Sequence, residues 1–445
     1  MFSIFLILFS IAPSISAATA PPSFKDILSS NANLTTFNST LYTYNPDLLT
    51  YISAQTSDKP ITVLAPSNAA FAKTVYYSII GPAFSDKDVP LIKSILDYHV
   101  VDGNHPSTNL LPTFQYFETH LTNSSYCNVT GGQRVGGVMQ SGTIMIWTSG
   151  QSNRSPVIEM DIEFAGGTIH IIDSLLIPPS SFPATAELFS NAAEPFEITS
   201  FLGATYYDPS NTTGTVPALA KLLNETSDIT IFAPNNAAMS KVADALAGYA
   251  NGDLASFEEI LEYHIISGQG GPYYSTLWNT SSSSLKTLNG GNVTISFASN
   301  SFFVNGARIL TPDLLLANGI MHVLDNVLSP DAATQVPDPQ LATQMPALET
   351  GSRFNVSSAP YTTWLPNTVN TEKAVQTAAT YSAGNGANGG KSTTTGSGSA
   401  RQTGSGKSGA GRVRGGLERS ERREGFLFWG SVVGAMVVGA GMALV

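Results

Sequence analysis

Cysteine is the scarcest residue of this 445-residue chain, present once, as Cys127. One thiol excludes an internal disulfide, so the chain folds on its apolar core or pairs Cys127 with another molecule. The simpler reading is a small buried hydrophobe. Charge is also scarce: 12% of residues are Asp, Glu, Lys or Arg, about half the usual fraction. Ser, Thr, Asn and Gly supply the polar surface instead. The net charge is −11, yet residues 391–425 carry eight basic and three acidic side chains. The remainder is therefore strongly acidic and has no basic patch, which argues against nucleic-acid binding. No Cys-x-x-Cys, His-Glu-x-x-His, Gly-x-Ser-x-Gly, phosphate-loop or dinucleotide fingerprint occurs. Nothing in these absences calls for an enzyme or a cofactor.

What is present is duplication. Ile61–Phe71 (ITVLAPSNAAF) matches Ile229–Met239 (ITIFAPNNAAM), and Leu96–Gly103 (LDYHVVDG) matches Leu261–Gly268 (LEYHIISG). Ala165–Pro178 matches Ala317–Pro330, each with a Gly-containing turn, an apolar run with one His, and an Asp three residues later. Three ordered matches mean two copies of one domain, each longer than a solenoid unit. They read as residues 23–180 and 184–331.

The same three motifs resemble those of the fasciclin-like (beta-Ig-h3) adhesion domain family: Thr-x-Phe-Ala-Pro-x-Asn-x-Ala-Phe, then Tyr-His, then Asn-Gly-x-x-His-x-x-Asp-x-x-Leu-x-Pro. The resemblance covers roughly residues 24–331 and implies a small β-wedge flanked by helices. The first copy departs from the pattern at Gly166, which replaces the Asn. Its His99-to-His170 interval is 71 residues, against 58 from His264 to His322. In animal members an Asp-Ile pair and the Tyr-His stretch are implicated in integrin binding. The resemblance carries those roles to Tyr98, His99, Asp161 and Ile162, and to Tyr263, His264, Asp313 and Leu314. The structural alternative is that apolar residues beside an Asp close a strand over the core.

The ends carry targeting signals. Residues 1–18 have an apolar run from Phe2 to Ala12, a breaker at Pro13 and small residues after it, which reads as a secretory signal. Phe426–Val445 is uncharged for twenty residues. Ahead of it lie an Arg-rich spacer and the small residues Ser408, Gly409, Ala410 and Gly411. Small acceptor, polar spacer and apolar tail match a glycosylphosphatidylinositol (GPI) signal. A retained helix would leave its arginines outside, against the positive-inside bias.

Between the ends, helices are expected at Ser23–Ser30, Leu34–Tyr42 and Pro46–Ile52, and a strand at Ile61–Ala65 ending at Pro66. Asp88–Leu96 and the segment from Leu254 to Leu261 show helical apolar periodicity, each followed by a short β-branched strand. Asn292–Phe297 and Phe302–Val304 read as a hairpin, with Asn305-Gly306 a turn. The class is therefore α+β. Residues 332–382 form an extension with a few aromatics that could strap the second domain. The Gly/Ser/Thr/Lys-rich residues 383–425 read as a flexible stalk and spacer.

Four of six histidines sit in the motifs. His170 and Asp173, like His322 and Asp325, are three apart on a strand and should face opposite sides. They are read as structural residues bonded to loop backbone, with no metal site implied. Asn68 and Asn236 read as caps of the helices they begin. Asn-x-Ser/Thr occurs at Asn33, Asn38, Asn123, Asn128, Asn153, Asn211, Asn224, Asn279, Asn292 and Asn355, which implies a glycosylated surface. The expectation is a secreted, lipid-anchored, non-enzymatic surface glycoprotein contacting extracellular protein or carbohydrate partners. Two alternatives are a structural wall glycoprotein without a specific ligand, and a small-molecule or enzymatic pocket near His264 and His322.

Overall fold

A computed structural model describes residues 20–189, 196–211, 214–268, 270–278, 283–349 and 360–366. The segments expected to be a secretory signal, a stalk and an anchor signal lie outside them. Among the described residues no helix is long and apolar enough to cross a membrane.

The first copy begins with α1 (Phe24–Ser30), α2 (Thr35–Tyr44) and α3 (Pro46–Ser53). It continues through β1 (Ile61–Pro66), α4 (Asn68–Ala72), α5 (Ile80–Ser85), α6 (Val89–Tyr98) and β2 (Val100–Asp102). It closes with β3 (Gln115–Glu118), β4 (Arg134–Gln140), β5 (Ile144–Thr148), β6 (Arg154–Phe164) and β7 (Gly167–Ile172). The second copy runs α7 (Phe182–Leu188), α8 (Thr199–Thr205), α9 (Ala218–Glu225), β8 (Ile229–Pro234), α10 (Asn236–Lys241), α11 (Ala243–Gly252) and α12 (Leu254–Glu262). Then come β9 (Ile265–Ile266), β10 (Ser283–Lys286), β11 (Asn292–Ala298), β12 (Ser301–Val304), β13 (Ala307–Leu316) and β14 (Gly319–Leu324). The sheets have the same order, β2-β1-β7-β6-β5-β4-β3 and β9-β8-β14-β13-β12-β11-β10. The expected α+β wedge is present twice.

The duplicated motifs are the centre of each sheet. β1 pairs with β7, and β8 with β14, in parallel, Ile61 opposite Gly167 and Ile229 opposite Gly319. A Cβ on Gly167 would collide with the Ile61 carbonyl oxygen, and one on Gly319 with that of Ile229. The glycine that opens the last motif is therefore a packing requirement. Pro66 and Pro234 end the central strands, where no ladder donor is needed.

Both faces of each sheet are covered. Val63, Ala65, Ile169 and Ile171 face the helices in one core, while Leu64, Trp147 and Ile172 fill the interior of the wedge in another. The second copy repeats this division, with Ile231, Ala233, Met321 and Val323 against the helices and Phe232 and Leu324 inside the wedge. Period-two alternation on a two-sided sheet explains why these strands read as continuous apolar runs.

The β11–β12 hairpin turns at Ser299 and Asn300, both at positive φ, as a two-residue turn requires. After β14 the chain straps the second copy. Arg308 donates to the Leu341 carbonyl at 2.7 Å, and the Gln344 amide donates to Asp325 at 2.8 Å. Tyr361 and Trp364 pack their rings against Tyr207, at 5.4 and 4.9 Å. The Tyr361 carbonyl lies where a Cβ on Gly203 would be.

Candidate functional site

The motif histidines form two kinds of site, each built twice. His99 and His264 follow the helices α6 and α12 and are fully buried. The His99 Nε2 accepts from the Leu176 amide at 2.9 Å, so its Nδ1–H donates to the Ile95 carbonyl at 2.6 Å. His264 repeats this with the Leu328 amide at 2.8 Å and the Ile260 carbonyl at 2.8 Å. His170 and His322, on β7 and β14, use the other tautomer. Their Nδ1 atoms accept from the amides of Asp161 and Asp313, each at 3.1 Å. Their Nε2–H groups donate to the carbonyls of His105 at 2.9 Å and Tyr273 at 3.0 Å.

Every ring thus donates once and accepts once, both times with backbone, which only a neutral imidazole can do. Burial pushes His99 and His264 down to about 4 and His322 to about 3, and lowers His170 as well. No ring nitrogen remains for a metal or a substrate. Among the described residues no cluster of three or more His, Cys, Asp or Glu could hold a metal ion.

The Asp-Ile/Leu pairs sit on β-bulges of β6 and β13, where the register shifts before Ile162 and before Leu314. Asp161 and Asp313 both have φ of 61°, a left-handed conformation that short polar side chains tolerate. Each carboxylate is bound by one serine. Asp161 accepts from the Ser107 amide at 2.7 Å and from its hydroxyl, and Asp313 accepts from the Ser275 amide at 2.8 Å and from its hydroxyl. The bulge aims the aspartate amide at the motif histidine, so Asp, Ser and His form one staple across the wedge.

The copies then diverge. Asp161 is exposed, and Ile162 is half-buried against the helical core. Asp313 is covered by Tyr116 from the first copy, which bonds its carboxylate, and Leu314 is buried. Burial raises Asp313 to about 6, against the lowering effect of its hydrogen bonds from Ser275 and Tyr116. Tyr98 and Tyr263 are buried, their hydroxyls donating to the Arg134 carbonyl at 2.7 Å and the Asn292 carbonyl at 2.5 Å. Of the eight residues carried over as binding candidates, Asp161 is exposed, Ile162 and Asp313 are half-buried, the Asp313 side chain being only 6% exposed, and the other five are buried.

The cap assignment needs correction. Asn68 and Asn236 do not cap α4 and α10; Ser67 and Asn235 do, accepting from the amides of Ala70 and Ala238. The asparagines turn away and serve the second helix of the same domain, α2 or α8. Asn68 accepts from the Thr36 amide at 2.9 Å and donates to the Ala32 carbonyl at 2.9 Å. Asn236 accepts from the Ser200 amide at 2.8 Å. Helices α2 and α8 have no cap hydrogen bond from their own N-cap side chain, and these distant amides supply an acceptor.

The motif aspartates have also separated. Asp173 pairs with Lys73 at 2.7 Å, whereas Asp325 is buried and binds the amides of Arg308 and Gln344, holding the strap. Cys127 is buried in the first wedge, its thiol pushed up to about 11 by burial. Among the sequons, Asn33, Asn123 and Asn292 are exposed, Asn38, Asn128, Asn153 and Asn211 are half-buried, and Asn224 is buried. Asn279 and Asn355, like the anchor candidates Ser408, Gly409, Ala410 and Gly411, lie outside the described residues.

The longer first copy explains its own extra length. The connection from β3 to β4 spans residues 119–133, where the second copy uses residues 287–291 between β10 and β11. This loop reaches the second domain, and Gln133 donates to the Leu316 carbonyl at 3.1 Å. Nearby, Tyr116 and Tyr274 stack at 4.6 Å. Sequence reasoning missed the contact; the unequal histidine interval was its only trace.

Comparison with known proteins agrees with the duplicated motifs. The family model for the fasciclin domain matches residues 32–178 and again residues 210–330. A fasciclin-like arabinogalactan protein of Arthroderma benhamiae is 30% identical over 69% of this chain and 67% of its own length. Another such protein, from Phaeosphaeria nodorum, is 26% identical over 61% of this chain and 78% of its own. Human periostin is 28% identical over 38% of this chain and 18% of its own length. A solved domain pair from the insect cell adhesion molecule fasciclin I overlays 68% of this chain and 98% of its own at 18% identity, with a TM-score of 0.31. With both repeats matched and the motif residues forming the centre of each sheet, the chain belongs to the fasciclin domain family.

Proposed function

We propose that the chain is a secreted surface glycoprotein that works by adhesion or matrix contact, with no catalytic centre. One observation carries this reading: all four motif histidines spend both ring nitrogens on backbone groups. Residues used in this way fix the fold and leave recognition to the surface. In this proposal the partners are extracellular proteins or carbohydrates. The exposed bulge at Asp161, with Ile158 and Met160 also exposed on β6, is the part of the motif set open to such a partner. In this reading the tail Phe426–Val445 is replaced by a lipid anchor at one of residues 408–411.

Two experiments test it. The purified full chain is applied to arrays of extracellular proteins and glycans; saturable binding weakened by Asp161→Ala is the adhesive outcome. Absence of any saturable ligand sinks that claim and leaves a structural glycoprotein. Treating intact cells with phosphatidylinositol-specific phospholipase C should release a chain lacking the tail. Tail peptides in an unreleased protein would mean a retained helix instead.

A further inference from the structure

The loop that joins the domains contains a glycosylation sequon, Asn128-Val129-Thr130. Both of its polar residues are committed to the contact. The Asn128 amide donates to the Ala317 carbonyl at 2.7 Å, and its side-chain Nδ2 donates to the Glu225 carbonyl at 2.9 Å. Thr130 donates from its amide and hydroxyl to the two oxygens of Asp228, at 2.8 and 2.5 Å. Nδ2 is the atom an N-linked glycan occupies. In that reaction a polyprenyl-diphosphate oligosaccharide gives its first sugar to Nδ2: the C1–N bond forms, the C1–O bond to diphosphate breaks, and Nδ2 loses one proton.

We propose that a glycan at Asn128 and the docked domain pair exclude one another, which makes residues 119–133 a latch whose closure is set by modification. Transfer occurs on the unfolded chain, before the latch can close. A sugar on Nδ2 replaces one hydrogen of the atom that, in the closed form, lies 2.9 Å from the Glu225 carbonyl, so its bulk competes with the second domain for that side of the half-buried Asn128. Once the loop is displaced, the Thr130–Asp228 and Gln133–Leu316 bonds go with it, since all belong to one short segment. Asn123, in the same loop, is exposed and serves as an internal control.

The proposal rests on the secreted reading for its occurrence, but its chemistry can be tested apart from the chain's own targeting. The full chain is produced behind a host secretory leader, fractionated by size, and treated with glycan-releasing amidase in 18O water. Small-angle scattering is recorded on each fraction before the amidase treatment, with its glycans in place, and mass spectrometry after it. Compact fractions should be unlabelled at Asn128, and any fraction labelled there should be extended. A compact fraction labelled at Asn128 overturns the proposal. A synthetic substituent decides the matter whatever the host does. In a Cys127→Ala background, Asn128→Cys is coupled to a maleimide-linked oligosaccharide. The conjugate should scatter as two separated domains, and one as compact as the uncoupled chain overturns the proposal equally.

Discussion

Acidification from pH 7 to pH 5 should weaken this fold through its buried histidines. His99 and His264 are held near 4 and His322 near 3, against about 6.5 in the unfolded chain. A base whose native value is depressed takes up its proton in the unfolded state first. Its contribution is therefore intact above 6.5 and is lost as pH falls toward 4 and below. At pH 5 each of the three costs about 2 kcal/mol, about 5–6 kcal/mol together. Asp313 works the other way: its native value near 6 lies above the unfolded one, so protonation near pH 5 returns about 1 kcal/mol. The net loss is about 4 kcal/mol, a large share of the about 5–15 kcal/mol typical of a domain. Urea midpoints at the two pH values, with m constant, measure it. An unchanged midpoint, or histidine NMR titrations near 6.5 in the folded chain, would refute the reasoning.

Three substitutions probe the same structure from other sides. His322→Ala strands the Asp313 amide and the Tyr273 carbonyl and opens a void beside Phe232 and Trp278. It should cost about 3–5 kcal/mol in urea unfolding, with any loss of binding tracking stability; a stable variant with abolished binding would contradict the structural role. Asn236→Ala removes the acceptor for the Ser200 amide and should cost about 1–2 kcal/mol, as should Asn68→Ala in the first domain. Denaturant midpoints equal to those of the unaltered chain would refute this long-range capping role. Truncation after Asp331 removes the Gln344 partner of Asp325 and the Tyr361 and Trp364 rings on Tyr207, so the second domain should melt several degrees lower; an unchanged melting temperature would make the strap passive.

Local patterns exposed the fold because each motif encodes its own element. The apolar runs Ile61–Ala65 and Ile229–Ala233 are central strands, and the helical periodicity before Tyr98 and Tyr263 ends in α6 and α12. What stayed hidden is non-local. Asn68 looks like a cap because its sequence neighbourhood begins a helix, yet Ser67 is one residue closer to the vacant amides, and Asn68 bonds a helix 32 residues earlier. Pairing His322 with Asp325 by spacing leads nowhere, because the strand separates them. Its actual aspartate neighbour is Asp313, brought over by a bulge that no periodicity announces. The latch loop has no helical or strand period at all. Its meaning lies in residues 97 or more positions away.

Duplication does not make the two domains equivalent as surfaces. The staple of Asp, Ser and His is the same in both, so the fold itself cannot tell the copies apart. The difference comes from what each domain's neighbour does. Tyr116 bonds Asp313 at the second bulge, the 119–133 loop bonds the Leu316 and Ala317 carbonyls just beyond it, and the strap holds Asp325, whereas in the first domain Asp161 stays in solvent and the Asp173 carboxylate pairs with Lys73. Contacts within the chain have thus consumed the second copy's motif surface and left the first one free. A partner that reads the bulge meets one site per closed chain, not two. It would meet a second only when the latch opens and Tyr116 leaves Asp313, so the domain contact that stiffens the pair also sets its valence.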